Sequence, residues 1–234
     1  MRRDVAAFDV FAPVYDRLMW SADETALRKG LLCAERDVER CVEVGGGSGR
    51  AAQRVDAAVL DPARGMVERA RGRGLETIRA SAESLPLSDA SVDAVLVVDA
   101  FHHFPGHERC LAEAARVLAP GGVLVLREFD RGTRRGRLTA CFEDVVGFDS
   151  QFYTVEELLA AIDDGRRVVV YTEFAGSEHD VTLRRDGDTD YCETPTRLHR
   201  HDSAAEMREC LTEQGTAGTG ELAVTPPFMR SAPL

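Results

Sequence analysis

A glycine-rich turn near residue 45 is the first segment whose composition suits ligand binding. The short strand predicted at 41–44, apolar except for Glu43, is followed by 45–49, which reads Gly-Gly-Gly-Ser-Gly, and the residues after it favour a short helix. Glycines at such a junction let a ligand approach the backbone, and the N–H groups at the helix start point toward it. In open α/β sheets this position, after the first strand, is where ligands bind. The turn therefore predicts a binding site, although glycine-rich turns also occur simply as tight turns.

The spacing of the glycines argues against a dinucleotide ligand. Gly45, Gly47 and Gly49 form the pattern G-x-G-x-G. Arg50 occupies the position where the dinucleotide fingerprint G-x-G-x-x-G has its third glycine. Glu43 precedes the turn, and its charge would repel a diphosphate but attract a ligand that carries an ammonium group.

Asp61 is the next candidate, at the end of a second predicted strand and 18 residues after Glu43. An acidic residue near this distance hydrogen-bonds a ribose diol in nucleotide-binding sheets. Asp61 followed by Pro62 is also the pattern of a helix N-cap with proline at the first helical position. The two uses are compatible because a carboxylate has two oxygens.

Two histidines and a tyrosine complete the candidates. His102 and His103 would point to opposite sides of an extended segment, so at most one of them would face a pocket. That histidine would position a substrate or act as a general base, unless the pair is only hydrogen-bonded at a strand end. Tyr15 would close over a ligand as part of a lid, or pack by its ring. The basic run 131–137 is predicted to be a solvated loop, with contact to an anionic substrate as the alternative.

The elements around these candidates alternate between strand and helix. Residues 1–40 are predicted to form a helical lid, whose second helix runs from about 22 to 36. Residues 41–185 are predicted to form the binding domain, a parallel sheet covered by helices. Its strands are expected at 41–44, 57–61, 75–80, 91–98 and 123–129, followed by a helix over 154–162 and a hairpin of strands 167–174 and 179–185. Residues 186–234 are predicted to be an acidic and polar tail with little fixed structure.

The composition narrows the partners and the location. The 29 Lys and Arg residues against 40 Asp and Glu give a formal net charge of −11, which argues against nucleic acid as a partner. Lys29 is the only lysine, so the arginine bias reflects either a GC-rich genome or, as we favour, a salt-adapted halophile. Without a long apolar run or an export signal, we expect a cytoplasmic protein with no membrane span. The 6 cysteines lack CxxC spacing and predict free thiols, and no metal site is predicted.

Five segments in this order resemble the class I S-adenosylmethionine-dependent methyltransferases, of the type grouped around ubiquinone/menaquinone C-methyltransferases. The segments are 42–50, 60–66, 82–93, 100–104 and 113–122. The N-terminal segment 8–16 also resembles the family's opening motif, with spacing that differs by one residue. The resemblance implies an α/β fold: a Rossmann-like, doubly wound, seven-stranded, mostly parallel sheet whose last strand is antiparallel. It implies S-adenosylmethionine as the cofactor.

The resemblance also implies roles for individual residues. Gly45 and Gly47 would pass under the methionine part of the cofactor. Glu43 would orient its amino group, directly or through water, and Asp61 would bind its ribose hydroxyls. The complete set of cofactor-binding residues that we expect is Glu43, Gly45, Gly47, Gly49, Asp61, Pro62, Met66, Ser81, Ala82, Glu83, Asp99 and Tyr15, with His102 and His103 as the catalytic candidates.

The adenine and methyl ends are assigned in the same way. Met66 would pack near the adenine, and Ala82 would offer its backbone N–H to the ring. Ser81 stands where the family usually has aspartate, so its hydroxyl would accept from the adenine amine more weakly than a charged group. Asp99 and Ala100 would line the methionine end.

The implied reaction is in-line transfer of a methyl group to a small-molecule acceptor, which is quinone-like or otherwise lipophilic. Two alternatives stay open from the sequence. One is a non-catalytic member of the fold that binds the cofactor or a partner. The other, less favoured because of Arg50 and Glu43, is a nicotinamide-dependent oxidoreductase. The oligomeric state is not predicted.

Overall fold

A computed structural model describes residues 3–18, 24–129, 131–148, 150–154, 157, 168–175, 178–184, 190–193 and 198–201. The helices are α1 (Arg3–Leu18), α2 (Glu24–Leu31), α3 (Ala52–Val55), α4 (Arg64–Gly72), α5 (His107–Val117) and α6 (Arg134–Val146), with a 3₁₀ turn at Phe101–His103. The strands are β1 (Cys41–Val44), β2 (Ala58–Leu60), β3 (Thr77–Ile78), β4 (Val92–Val98), β5 (Leu118–Phe129), β6 (Val168–Ala175), β7 (Glu178–Arg184), β8 (Asp190–Glu193) and β9 (Leu198–His201).

Seven strands form one sheet in the order β3-β2-β1-β4-β5-β7-β6. Strands β1 to β5 pair in parallel, and β7 pairs antiparallel with both β5 and β6. The order reverses between β1 and β4, so the carboxyl ends of these two strands border the crevice in which such sheets bind ligands. The predicted fold class, including the antiparallel last strand, is confirmed.

The central strand β4 explains the two-sided core. All seven of its residues are buried, which fits an apolar run covered by helices on both faces. On one face Val95 and Val97 pack in a cluster that includes Leu111 of α5, and on the other Leu96 packs with Leu27 of α2. Helices therefore pack on both faces of the sheet and support the strand ends that border the crevice.

The N-terminal helix α1 lies against α4 and the glycine turn. Ala12 packs on Met66, and the Asp9 carboxylate accepts a hydrogen bond from Gly65 N–H at 2.7 Å. Asp16 is ion-paired with Arg69 of α4 at 2.6 Å and accepts a hydrogen bond from the Ser48 hydroxyl. These contacts place α1 over the crevice, where a lid was predicted. The second helix ends at Leu31, earlier than residue 36.

Three expected elements differ in the structure. The helix after Asp61 begins at Arg64, so Pro62 is not its first residue and Asp61 is not its N-cap; Asp61 instead accepts from Ala63 N–H at 2.8 Å. Most of the basic run expected to be a loop belongs to α6, which Thr133 caps by accepting from Gly136 N–H. Of the predicted 154–162 helix, only residues 154 and 157 are described.

The predicted tail falls largely outside the described residues. Its two described segments, β8 and β9, pair antiparallel as a two-stranded sheet, which the low apolar content had not indicated. No helix in the described part of the chain is long and apolar enough to cross a bilayer.

Candidate functional site

A pocket opens at the carboxyl ends of β1, β2 and β4, beneath α1. It is lined by Val5, Phe8, Gly45, Gly47, Asp61, Pro62, Ala63, Met66, Ser81, Ala82, Asp99, Ala100, His103, Phe104 and Pro105. The sheet order brings the glycine turn, the end of β2 and the end of β4 together, as the sequence predicted. Eight of the predicted cofactor-binding residues line it: Gly45, Gly47, Asp61, Pro62, Met66, Ser81, Ala82 and Asp99.

The glycine turn is fixed from below by β2. Gly45 N–H donates to Leu60 O at 2.7 Å, and Gly47 N–H donates to the Asp61 carboxylate at 2.9 Å. Gly47 has φ +55° and a Cβ there would find only the Met66 sulfur, at 3.9 Å, so the backbone is open toward the pocket. A Cβ on Gly49 would lie 2.3 Å from the Leu75 side chain. Gly49 therefore serves helix–sheet packing and not the pocket lining.

Asp61 joins the two turns that form the floor of the pocket. Its two carboxylate oxygens accept from Gly47 N–H at 2.9 Å and from Ala63 N–H at 2.8 Å. Burial raises the pKa of Asp61 to about 6, against the lowering effect of these two hydrogen bonds. Each oxygen keeps a lone pair that could accept from a ribose hydroxyl.

Glu43 lies beneath the turn and does not line the pocket. Its side chain is buried, and Oε2 accepts from Ala52 N–H at 2.7 Å, at the start of α3. Burial raises the pKa of Glu43 to about 8, and the negative charge of Asp61 adds to the shift. Glu43 thus supports the turn from behind, and its role in orienting a ligand's amino group, directly or through water, stays a prediction. A Cβ at Gly46 would lie 3.0 Å from this carboxyl group.

Asp99 reaches the pocket because of an unusual backbone conformation. Its φ of 49° is in the left-handed region, and its N–H donates to Arg127 O at 2.8 Å. Such strain in a non-glycine residue at a pocket is typical of functional sites. Asp61 and Asp99 give the lining two carboxylates, and neither arginine nor lysine is among its described residues.

Three of the residues expected around an adenine, Met66, Ser81 and Ala82, line the pocket, whereas Glu83 does not. The Ser81 hydroxyl donates to the Glu83 carboxylate at 3.4 Å, so Glu83 contacts the site through Ser81. The side chain of Tyr15 lies outside the described residues, and its lid role stays a prediction.

The histidines lie in a 3₁₀ turn and not on an extended segment, which corrects the reasoning that they point to opposite sides. Their ring centroids are 4.1 Å apart. His103 lines the pocket, while His102 is buried behind it and stacks on Phe152. As predicted, only one of the two histidines faces the pocket. The reason is that the His103 ring lies between the pocket and the buried His102 ring, and not that the two rings point to opposite sides.

His102 is held between two carboxylates. Its Nδ1 donates to Glu128 Oε2 at 2.7 Å, and its Nε2 lies 3.6 Å from Glu143 Oε1. Although burial opposes the charged form, Glu128 and Glu143 raise the pKa of His102 to about 10. The two carboxylates thus favour the charged form of the ring, and the role of His102 as a general base stays a prediction.

His103 contacts a different set of groups. Its Nδ1 is 3.1 Å from the Ser150 hydroxyl, which donates to Glu143 Oε2 at 2.5 Å, and Phe8 meets its ring edge-on at 5.0 Å. Glu128, Glu143 and Ser150 were missed by the sequence reasoning. Glu128 ends an apolar strand and could have been noticed there, whereas Glu143 lies on the unpredicted helix α6.

Two models of known protein families match parts of the chain. A model of a methyltransferase domain matches residues 42–126, and a model described as a family of unknown function (DUF8001) matches residues 143–219. The first match contains the glycine turn, Asp61, Asp99 and both histidines, on a sheet of the expected order. Residues 42–126 are therefore a methyltransferase domain, and the sheet has the fold of class I S-adenosylmethionine-dependent methyltransferases.

Relatives of this methyltransferase domain match parts of the chain. A demethylmenaquinone methyltransferase from Thermus thermophilus is 36% identical over 140 residues, which are 52% of this chain and 64% of that protein. A phthiotriol/phenolphthiotriol dimycocerosates methyltransferase 1 from Mycobacterium ulcerans is 52% identical over 52 residues, 22% of this chain and 19% of that protein. The chain thus spans less than two thirds of either relative.

Solved structures agree with the fold. A SAM-dependent methyltransferase from Thermotoga maritima superposes with a TM-score of 0.66 at 27% identity, over 76% of this chain and 98% of that one. The [4+2]-cyclase SpnF superposes with a TM-score of 0.61 at 17% identity, over 79% of this chain and 96% of that one. Family and fold together imply the use of S-adenosylmethionine, and the acidic, glycine-floored pocket fits a ligand that carries positive charge.

Proposed function

We propose that this protein transfers the methyl group of S-adenosylmethionine to a small, lipophilic, quinone-like acceptor. The observation that carries the proposal is the pocket itself. Its floor is open glycine backbone, its lining includes the carboxylates of Asp61 and Asp99, and His103 is also among the lining residues. The negative lining suits a sulfonium and an ammonium group, whereas a nicotinamide dinucleotide would bring a diphosphate to the same carboxylates.

The residues of the chain would divide the binding task. Asp61 would accept from the ribose hydroxyls, Met66 and Ala82 would contact the adenine, and Asp99 would face the amino end. When bound, the cofactor supplies an electrophilic methyl group on a sulfonium. The protein orients both reactants and excludes water, and such alignment can supply roughly 7–11 kcal/mol of a barrier.

The acceptor would enter beside the histidines under α1. Phe8, Phe104 and His103 line this part of the pocket, and Phe148 packs 5.3 Å from both Phe8 and His103. These rings suit a flat apolar molecule. The Thermus thermophilus relative is named for demethylmenaquinone, a quinone, which supports the same acceptor class. His103 would contact the reacting oxygen or carbon and, where the acceptor must lose a proton, would receive it.

The first test is calorimetric titration of the full chain with S-adenosylmethionine and S-adenosylhomocysteine, with NADH as the control. We expect binding of both sulfur ligands and none of NADH, and about tenfold or greater loss in Asp61→Asn. Asp89→Asn removes a carboxylate that is 80% exposed and is the matched control. Folded protein that binds neither ligand would refute the proposal. Methyl transfer is then assayed by mass spectrometry on demethylated naphthoquinones.

A second candidate is a member of the fold that binds the cofactor without transferring its methyl group. Ser81 favours it, because its hydroxyl replaces a charged adenine acceptor and is already bonded to Glu83. The fold alone does not fix the activity, since the cyclase SpnF has a similar one. Tight cofactor binding with no methylated product from any acceptor would support this candidate.

We also propose that the acidic composition is an adaptation to high salt. The formal net charge of −11 and the single lysine support it, because dilute buffer leaves the repulsion among carboxylates unscreened. Unfolding measured from dilute buffer to molar KCl tests this proposal directly.

A further inference from the structure

Three side chains at the pocket place atoms that could bind a metal ion close to one another. The ligand atoms of His102, His103 and Glu143 lie within 4.8 Å of one another. His102 Nε2 is 3.6 Å from Glu143 Oε1, and His103 Nε2 is 3.9 Å from Glu143 Oε2. In a tetrahedral zinc site with bonds of about 2.0–2.1 Å, ligand atoms are about 3.3–3.4 Å apart, so small side-chain movements would close the set.

The other nitrogen of each ring is held by a hydrogen-bond partner. His102 Nδ1 donates to Glu128 Oε2 at 2.7 Å, and Glu128 Oε1 accepts from Phe101 N–H at 2.6 Å. The Ser150 hydroxyl donates its proton to Glu143 and so accepts from His103 Nδ1, at 3.1 Å. Metal-binding histidines characteristically donate their second ring N–H to a carboxylate or another acceptor, which orients the ring and fixes its tautomer.

The charge of the cluster also suits a cation. Glu128 and Glu143 bring two carboxylates to one buried imidazole, and the side chains of His102 and Glu143 are only 3% and 14% exposed. A divalent cation bound among these side chains would balance both carboxylates.

We propose that His102, His103 and Glu143 bind a divalent first-row transition metal ion. Two imidazoles and one carboxylate favour zinc, iron, cobalt or nickel over magnesium and calcium, which prefer all-oxygen sites. The three ligands leave coordination positions open, and His103 lines the pocket. A metal ion here would bind an oxygen of the acceptor and lower the pKa of its hydroxyl group, and the proton would leave to solvent because His103, as a ligand, could no longer accept it. Metal binding itself does not depend on the proposed methyl transfer.

The test uses full-length, tag-free protein that has been stripped with a chelator and dialysed. Titration with Zn²⁺ followed by calorimetry should give one equivalent bound, and Mg²⁺ under the same conditions should give none. Glu143→Gln and His103→Asn should each weaken zinc binding by more than tenfold. Glu128→Gln removes only the orienting carboxylate and should cost on the order of 10–100-fold. His107→Gln and Glu68→Gln, outside the cluster, should bind zinc as the parent does.

A second readout does not depend on the variants folding. The Co²⁺-loaded parent protein should show ligand-field absorption without the thiolate charge-transfer band that cysteine ligands produce. Such a thiolate band, no stoichiometric binding, or binding unchanged in both Glu143→Gln and His103→Asn would overturn the proposal. Because neither readout uses a methyl donor, failure here is distinguishable from failure of the proposed function.

Discussion

Alanine at Gly49 and at Gly47 should damage different properties of the protein, although the two glycines belong to one motif. Both have positive φ, +79° and +55°. At Gly49 a Cβ would lie 2.3 Å from the Leu75 side chain and 3.2 Å from Ala70 Cβ. At Gly47 its nearest neighbour would be the Met66 sulfur at 3.9 Å, on the pocket side. We therefore expect Gly49→Ala to lower stability and Gly47→Ala to lower cofactor affinity.

The magnitudes follow from two separable costs. A left-handed conformation in a non-glycine residue costs about 1–3 kcal/mol, and both variants bear it. Gly49→Ala adds overpacking between α4 and the sheet, about 1–3 kcal/mol more, because Ala70 is completely buried and only Leu75 can move aside. Its total is about 2–6 kcal/mol. Gly47→Ala bears the backbone cost alone, but its methyl group takes space beneath the ligand, and each tenfold loss of affinity corresponds to about 1.4 kcal/mol.

Urea unfolding and calorimetric titration with S-adenosylhomocysteine measure these two quantities. Gly74→Ala is the control for backbone strain, since Gly74 has φ +84° and a Cβ there would meet nothing within 4 Å. Gly72→Ala, which also meets nothing and has no positive φ, controls for the substitution itself. The reasoning is refuted if Gly49→Ala costs no more stability than Gly74→Ala, or if Gly47→Ala binds the ligand like the parent.

The remaining predictions concern protons and salt. Ligand affinity should fall as the pH drops below about 6, because Asp61, whose pKa is raised to about 6, loses its charge; Asp61→Asn should bind more weakly and lose the step near pH 6 in titrations from pH 5 to 8, keeping only the dependence that comes from Glu43. Glu43 has its pKa raised from 4.5 to about 8, so the folded state binds its proton more tightly and unfolding free energy is lost as the pH rises through this range. Glu43→Gln keeps an oxygen for Ala52 N–H and should abolish this loss of unfolding free energy, which is of order 4–5 kcal/mol at 1.36 kcal/mol per pKa unit. Equal pH slopes of the unfolding free energy in the two proteins, measured by urea unfolding, would contradict this. The melting temperature should rise from dilute buffer to molar KCl, and a flat or falling response would favour codon bias as the origin of the acidic composition.

The sequence was sufficient for the fold because its strands are local and strongly patterned. Apart from Asp93, the run 92–98 is apolar, which favours a strand covered on both faces, and the glycine turn indicated where the ligand end of the sheet lies. The helix boundary near Asp61 was wrong because the aspartate–proline pattern suits a cap, whereas the carboxylate is used by Gly47 and Ala63. The hydrogen bonds that Asp61 makes in the folded protein therefore override its local preference for a helix N-cap.

The histidine cluster could not be predicted for a different reason. It depends on Glu128 at a strand end and Glu143 on α6, which are distant from the histidines in sequence and meet them only through the sheet order. The arginines in 131–137 gave that segment the composition of a solvated loop, although its helix is capped by Thr133. Sequence spacing identified residues that line the pocket, but not Glu128 and Glu143, which contact the histidines from outside the pocket lining.

The buried carboxylates favour binding of a cation through their ionisation as well as through direct contact. Glu43 and Asp61 have raised pKa values, so the folded protein holds their negative charges at a cost in stability. A positively charged ligand above the turn favours the ionised forms, and by linkage its binding must then release protons and offset part of that cost. Stabilisation by the ligand should consequently be larger near pH 8, where Glu43 is half ionised, than near pH 5, where both groups are mostly protonated. A neutral ligand in the same pocket would not produce this pH dependence, so the protons released distinguish recognition of charge from recognition of shape.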